Sequence, residues 1–307
     1  MRRAFLVSTL LVALSPGRVT GQASQGDEWL RRPVDDRTFQ GFMQFFDYDH
    51  DVPFNAVVGP TITEEGVSRR HLEYQSTAGV RVMAWMYAAR SGPGGPWAVY
   101  LPGGTGSGKD AVSYRFLCSF LARAGWNVLS LDLQYFGERR TDLLTSFTEA
   151  EKHERLYNQP ATYLAWVAQT AKDVRRGIDF LLSEQGADPG RIALVGFSRG
   201  AQLAYIVGAV EKRFRAVAAL YGGHFDALET GHLPAACVAN YIGRISPRPL
   251  LLMNGTQDAD YVKAASVDPM HALAQEPLDI IWLETGHTMP PEEALGRVAE
   301  WLGNQIR

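Results

Sequence analysis

Two hydrophobic rhythms run through the chain. SRRHLEYQS and VRVMAWMYA alternate with period two, as half-buried strands do, and predict a hairpin turning at Thr77–Gly79. Six short apolar runs predict further strands: WAVYLP, WNVLSLD, RIALVGF, FRAVAALYG, PLLLMNG and LDIIWLE. Between them, apolar residues recur three and four positions apart. That spacing predicts helices over AVSYRFLCSFLARAG (ending at Gly125), from about Ala161 to Glu184, over RGAQLAYIVGAVEK, and over the closing PPEEALGRVAEWLGNQI. The last begins with Pro290 and Pro291 and carries acids in its first turn, which suits a helix N-terminus. Apolar strands alternating with helices predict an α/β fold: a mainly parallel, eight-stranded sheet with helices on both faces.

Ahead of this regular region, Phe39, Phe42, Met43 and Phe46 recur at helical spacing. They predict a short amphipathic helix pinned to the core, with the lining of a substrate groove as the alternative. Further upstream, Arg2 and Arg3 precede the apolar run AFLVSTLLVALS and a stretch of small and polar residues. This is the pattern of a secretory signal peptide over residues 1–23, cleaved after Ala23 or, as second choice, after Gly21. The run is too short to span a bilayer comfortably, so export without stable membrane insertion after cleavage is expected. Residues 24–65 then form an N-terminal arm and residues 66–307 the main domain.

Composition narrows the function. With 307 residues, 46% hydrophobic and 21% charged, the chain has material for a sizeable core. A formal net charge of −3 without a basic run beyond the first residues argues against nucleic acid as a partner. There are two cysteines, Cys118 and Cys237. Export permits a disulfide, and their pairing stays open, although the apolar surroundings of Cys118 favour a buried free thiol. No Cys/His cluster has metal-ligand spacing.

In a parallel sheet, ligands bind beyond the carboxyl ends of the strands, so the residues just after each strand carry the chemistry. After RIALV comes GFSRG, a G-x-S-x-G pattern with a strand before Ser198 and a helix after it. A serine on such a sharp turn presents its hydroxyl outward, and the flanking positions must be small for neighbouring chain to approach. Asp258 and Asp260 follow PLLLMNG, and His287 follows LDIIWLE. The order Ser198, Asp258, His287 is that of the α/β-hydrolase triad. Asp260 and Asp226 remain alternatives for the acid, with Asp260 otherwise capping a helix near Tyr261. His224 reads as a surface-loop residue. His50, His71, His153, His232 and His271 follow no core strand directly.

The loop after WAVYLP, GGTGSGKD, stops one residue short of a phosphate-binding P-loop. Asp110 stands where Ser or Thr is needed to hold Mg²⁺, which argues against a nucleotide. The loop reads instead as one that offers a backbone N–H to an oxyanion. Gly104 is the first choice as donor and Thr105 the second. Arg199, following the serine, supplies the other N–H. Lys109 and Asp110 are expected as solvated residues at the helix start.

From about Gly66 to Arg307 the chain resembles the α/β-hydrolase superfamily, through LPGGTGSGK, LDLQYFGER, GFSRGAQLA, NGTQD and TGH. Within it the chain is similar to bacterial acetyl-xylan-esterase-like and dienelactone-hydrolase-like enzymes. Those share an acid-glycine-Glu-Arg stretch like Asp132, Gly137, Glu138 and Arg139. Two departures stand out: Pro102-Gly103 replaces the common His-Gly, and the loop is about one residue longer. GFSRG also resembles glucuronoyl esterases, whose flanking pattern differs. The resemblance implies a serine esterase acting through an acyl-enzyme, without cofactor or metal, on a small-molecule or carbohydrate ester, and the N-terminal pattern implies that it is secreted. The alternatives are a serine peptidase of the prolyl-oligopeptidase type, whose propeller the short N-terminal arm has no room for, and a non-catalytic binding protein on the same scaffold. Residues 141–166 form either a small lid or a surface helix extension, with Tyr163 and Trp166 in lid or core. Nothing in the sequence marks an oligomeric state.

Overall fold

The computed structural model describes residues 32–306 except 90, 91 and 93. The signal segment and the start of the arm lie outside the described residues. Nine strands form one sheet among those residues: β1 (Val57–Glu64), β2 (Val67–Thr77), β3 (Val80–Ala88), β4 (Trp97–Leu101), β5 (Asn127–Leu131), β6 (Ile192–Phe197), β7 (Ala216–Leu220), β8 (Leu250–Gly255) and β9 (Leu278–Leu283). Their order is β1-β2-β3-β5-β4-β6-β7-β8-β9. The first three strands join antiparallel, as does β3 to β5, and every pair from β5 to β9 is parallel.

The sheet thus has one strand more than the eight expected. The addition is β1, an edge strand that is almost wholly exposed and carries Gly59 and Pro60. With no buried face it shows no apolar alternation, and hydrophobic periodicity cannot find it. The central strands β4 to β8 are buried along their whole length, which is why they read as continuous apolar runs.

Helices cover both faces. α1 (Asp36–Met43), α4 (Pro160–Glu184) and α5 (Arg199–Val210) pack on one, and α2 (Val112–Arg123) and α7 (Glu292–Gln305) on the other. Between them lie α3 (Glu149–Lys152), which continues into a wider π-type turn over His153–Tyr157, and α6 (Asp268–Leu273). In α4, Tyr163, Trp166, Val167, Thr170, Val174 and Ile178 lie on the sheet side, so Tyr163 and Trp166 belong to the core. Every residue of α5 is buried.

In the N-terminal arm, Phe39 and Phe46 are buried in the core. Phe39 and Phe46 meet the ring of Tyr241 edge-on, with centroids 5.3 and 5.9 Å away. Backbone carbonyls of the arm are held by arginines of the domain: Val34 by Arg244 at 2.7 Å, Phe46 by Arg175 at 2.9 Å and Val52 by Arg176 at 2.5 Å. Cys118 and Cys237 are separate buried thiols, and burial pushes each up to about 12.

Candidate active site

The turn from β6 into α5 sets the position of Ser198. Ser198 has φ 57° and ψ −122°, a strained conformation for a residue with a side chain. It persists because its surroundings over-determine it. The Ser198 N–H donates to the Leu220 carbonyl at 2.8 Å. A side chain on Gly196 would overlap the Gly200 carbonyl, and one on Gly200 would overlap the Leu101 and Pro102 carbonyls. Only glycine at both positions lets α5 start this close to β4 and β6.

Two loops deliver the partners. After β8 and β9 the chain runs side by side, with Thr256 N–H on Leu283 O at 2.8 Å and Gln257 N–H on Thr285 O at 3.0 Å. Asp258 and His287 therefore emerge next to each other. His287 Nδ1 lies 2.8 Å from Asp258 Oδ2, and His287 Nε2 lies 2.8 Å from Ser198 Oγ. A carboxylate only accepts, so Nδ1 carries the proton and Nε2 offers its lone pair to the serine hydroxyl. The Asp258 side chain is fully buried, and its other oxygen accepts the N–H groups of Asp260 and Tyr261 at 2.9 Å. Phe197, Tyr221 and Tyr261 surround the imidazole with ring centroids 5.6–5.9 Å away.

The alternative acids sit elsewhere. Asp260 is exposed, and its carboxylate is 3.8 Å from His287 Nε2, on the serine side of the ring. It caps no helix either. The next helical turn starts at Lys263, and its capping residue is Val262, with no side-chain cap. Asp226 faces His153 and Arg199, at 2.8 and 2.6 Å. His224 is buried beside Cys237, with Nε2 3.3 Å from Sγ, and is no surface-loop residue. Burial lowers the ring to about 4. Asp258, Asp260 and His287 bring ligand-type atoms within 4.8 Å of one another. Both His287 nitrogens are already engaged, so the cluster presents no free donor set to a metal.

The glycine loop after β4 passes directly over Ser198. The Thr105 N–H is spent on the Gly103 carbonyl at 3.0 Å, while the Gly104 and Arg199 N–H groups have no partner among the described residues. Lys109 corrects the sequence expectation. It is not solvated but fully buried. Its backbone N–H donates to Asp132 Oδ1 at 2.7 Å, and its ammonium reaches Asp132 Oδ2 at 2.8 Å and also Glu138. Burial pushes the lysine toward neutrality, but these carboxylates outweigh it and hold the charge. Burial also lifts the Asp132 carboxyl. Even so, Asp132 Oδ2 takes the Glu138 N–H at 2.9 Å in addition to the ammonium, and with a donor on each of its contacts the pair is ionised. Asp110 likewise accepts the Trp85 indole N–H at 2.8 Å. A lysine with a carboxylate 23 positions away leaves no spacing signal, which is why sequence reasoning missed it.

Residues 141–166 supply one wall of a cleft of about 190 Å³ above Ser198. Of this segment, Glu149, Lys152, His153 and Tyr157 line it, and Gly104 and Arg199 line it beside them. None of these four was marked by the sequence. Arg199 is almost fully buried. It binds Gln202, Glu229 and Asp226 and lies 3.8 Å over the Tyr157 ring. His153 donates from Nδ1 to the Glu149 carbonyl at 2.6 Å and from Nε2 to Asp226 at 2.8 Å. Both partners only accept, so the ring carries two protons. Burial opposes that charge, but the Asp226 and Glu149 bonds raise the ring above its ordinary value of 6.5.

Comparison with known proteins agrees with this architecture. The sequence profile of the dienelactone hydrolase family matches residues 107–286. No curated protein matches in sequence. Among solved structures, the chain is similar to acetyl xylan esterase 1 from Thermoanaerobacterium sp. (16% identity, 92% of this chain and 98% of that one, TM-score 0.67). It is also similar to a cold-adapted esterase from an Arctic intertidal metagenomic library (15%, 83% and 99%, TM-score 0.63). A Pyrococcus furiosus esterase is a third (20%, 82% and 100%, TM-score 0.58). At these identities the structures establish the α/β-hydrolase fold.

Two predictions concern the buried charges. Lys109→Met strands Asp132 in the interior and is expected to destabilise the fold by about 3–5 kcal/mol in urea unfolding. A loss under about 1 kcal/mol contradicts the buried pair. His153 has its folded value raised, so the stability it adds is full below about pH 6.5 and fades as pH rises through the folded value. The melting-temperature difference between wild type and His153→Gln should therefore shrink toward alkaline pH. A difference that is constant or grows with pH contradicts the charged ring.

Proposed function

The chain belongs to the dienelactone hydrolase family and is a carboxylic ester hydrolase; from that premise we propose that it works through an acyl-enzyme on Ser198. The observation that carries this reading is the unbroken hydrogen-bonded run from buried Asp258 through His287 to Ser198. In the proposed mechanism Ser198 Oγ attacks the ester carbonyl. His287 Nε2 takes the hydroxyl proton and passes it to the leaving alcohol. Asp258 holds the tautomer and stabilises the imidazolium that forms. Water, activated by the same imidazole, then releases the acid. The negative oxygen of each tetrahedral intermediate is received by the unengaged N–H groups of Gly104 and Arg199, a type of contact worth roughly 2.7–4 kcal/mol of barrier per donor.

The cleft is below the 300–1,000 Å³ usual for drug-sized ligands, which supports esters of short acyl groups. Its charged wall suits a polar, small-molecule or carbohydrate alcohol. The positive, apolar and small-residue pattern at the N-terminus supports export. Among the described residues no helix is long and apolar enough to cross a membrane.

Ser198→Ala is expected to lower kcat on p-nitrophenyl esters by several orders of magnitude, on the order of 10⁶ in a comparable mechanism, with the melting temperature retained. Folded protein keeping more than about a hundredth of wild-type turnover contradicts the assignment. Asp258→Asn should lower kcat about 10⁴-fold, because the ring settles in the wrong tautomer. Asp260→Asn should stay within a few-fold. The reverse pattern moves the acid to Asp260.

A further inference from the structure

We propose that Lys152 and His153, consecutive residues on the turn from Glu149 to Tyr157, are positioning residues that aim the two backbone donors of the oxyanion site. The proposal rests on the assignment of Gly104 and Arg199 as those donors.

Lys152 acts through one peptide unit, that of Gly104 and Thr105. Lys152 is 5% exposed, and its ammonium donates to the Gly104 carbonyl at 2.7 Å and to Glu149 at 2.6 Å. The N–H of the same Gly104–Thr105 peptide donates to the Gly103 carbonyl. That peptide is therefore held at both ends. In a trans peptide the carbonyl and the N–H point in opposite directions. Fixing the Gly103 carbonyl on Thr105 thus fixes the Gly104 N–H on the other side. Without the ammonium, the Gly104 carbonyl has no other hydrogen-bond partner among the described residues, and the Thr105 N–H bond alone holds this plane, in a loop of four glycines between Gly103 and Gly108.

His153 acts on the other donor. It bridges the Glu149 carbonyl and Asp226, and Asp226 in turn binds the Arg199 guanidinium at 2.6 Å. Glu229 and Gln202 accept from Nη1 of the same guanidinium. Tyr157 completes the turn: its ring lies under Arg199, and its hydroxyl packs against Gly104. One nine-residue turn therefore touches both halves of the site, Gly104 on β4's loop and Arg199 on α5. Both lysine and histidine contacts are to groups of the protein, so their effect is expected on the rate of the chemical step and not on substrate capture.

The test is Lys152→Met in the full chain, with kcat and KM measured separately on a p-nitrophenyl ester, alongside melting temperature and the rate of labelling by a fluorophosphonate. Removing a donor outright costs about 10²–10³ in kcat, so loosening one is expected to cost on the order of ten-fold. KM should stay within about two-fold, labelling should slow in parallel, and Lys152→Arg should recover part of the loss. A raised KM with unchanged kcat makes Lys152 a substrate contact and overturns the proposal, as does no change in either. If Lys152→Met does not fold, His153→Gln decides: it keeps one donor for Asp226 but not a second for Glu149. A kcat-weighted loss supports the clamp, and wild-type kcat overturns it. Ser198→Ala run beside them separates the two readings. An active Ser198→Ala removes the nucleophile, whereas an inactive one beside an unaffected Lys152→Met removes only this inference.

Discussion

The backbone at Gly200 passes so close to the Leu101 and Pro102 carbonyls that no side chain fits between them. Everything at the site depends on that approach. It brings the first turn of α5 against the end of β4, and so sets the glycine loop directly above the serine. It also forces Ser198 to φ 57°, which turns the hydroxyl out of the sheet and leaves the next N–H, that of Arg199, without a partner among the described residues. Burial of the whole of α5 supplies the packing that keeps such a conformation in place.

Charge does for the loops what apolar packing does for the sheet. Three buried ionic groups hold three segments that have little core of their own. Lys109 with Asp132 and Glu138 ties the far end of the glycine loop to the end of β5. Arg139 with Asp173 ties the same strand end to α4. Arg199 with Asp226 and Glu229 ties the start of α5 to the loop after β7. Each is costly to break, since removal of one partner leaves an uncompensated charge in the interior. Such groups specify loop geometry to within a hydrogen bond, which apolar contacts cannot do.

What was legible in the sequence follows from this division. Backbone constraints leave local traces: GFSRG announces its turn, and the apolar runs announce β4 to β8. The order of Ser198, Asp258 and His287 along the chain places each at a strand end. Long-range charge pairing leaves no trace, so Lys109 reads as a solvated residue although it is buried, and Lys152 and His153 do not stand out from a polar stretch. The spacing leaves Asp258, Asp260 and Asp226 open as acids. Burial and the direction of the imidazole, both properties of the folded chain, are what support Asp258 in the proposed mechanism. The edge strand β1 escapes because periodicity registers only strands with a buried face.

Acylation of Ser198 during turnover is the step on which the proposed mechanism stands. It is tested most directly by quenching the enzyme in acid during hydrolysis of a short p-nitrophenyl ester, then locating the acyl group by peptide mass mapping. One acyl group is expected, carried on the peptide containing Ser198. An acyl group on another residue, or active enzyme that never carries one under conditions where deacylation is slowed, contradicts it.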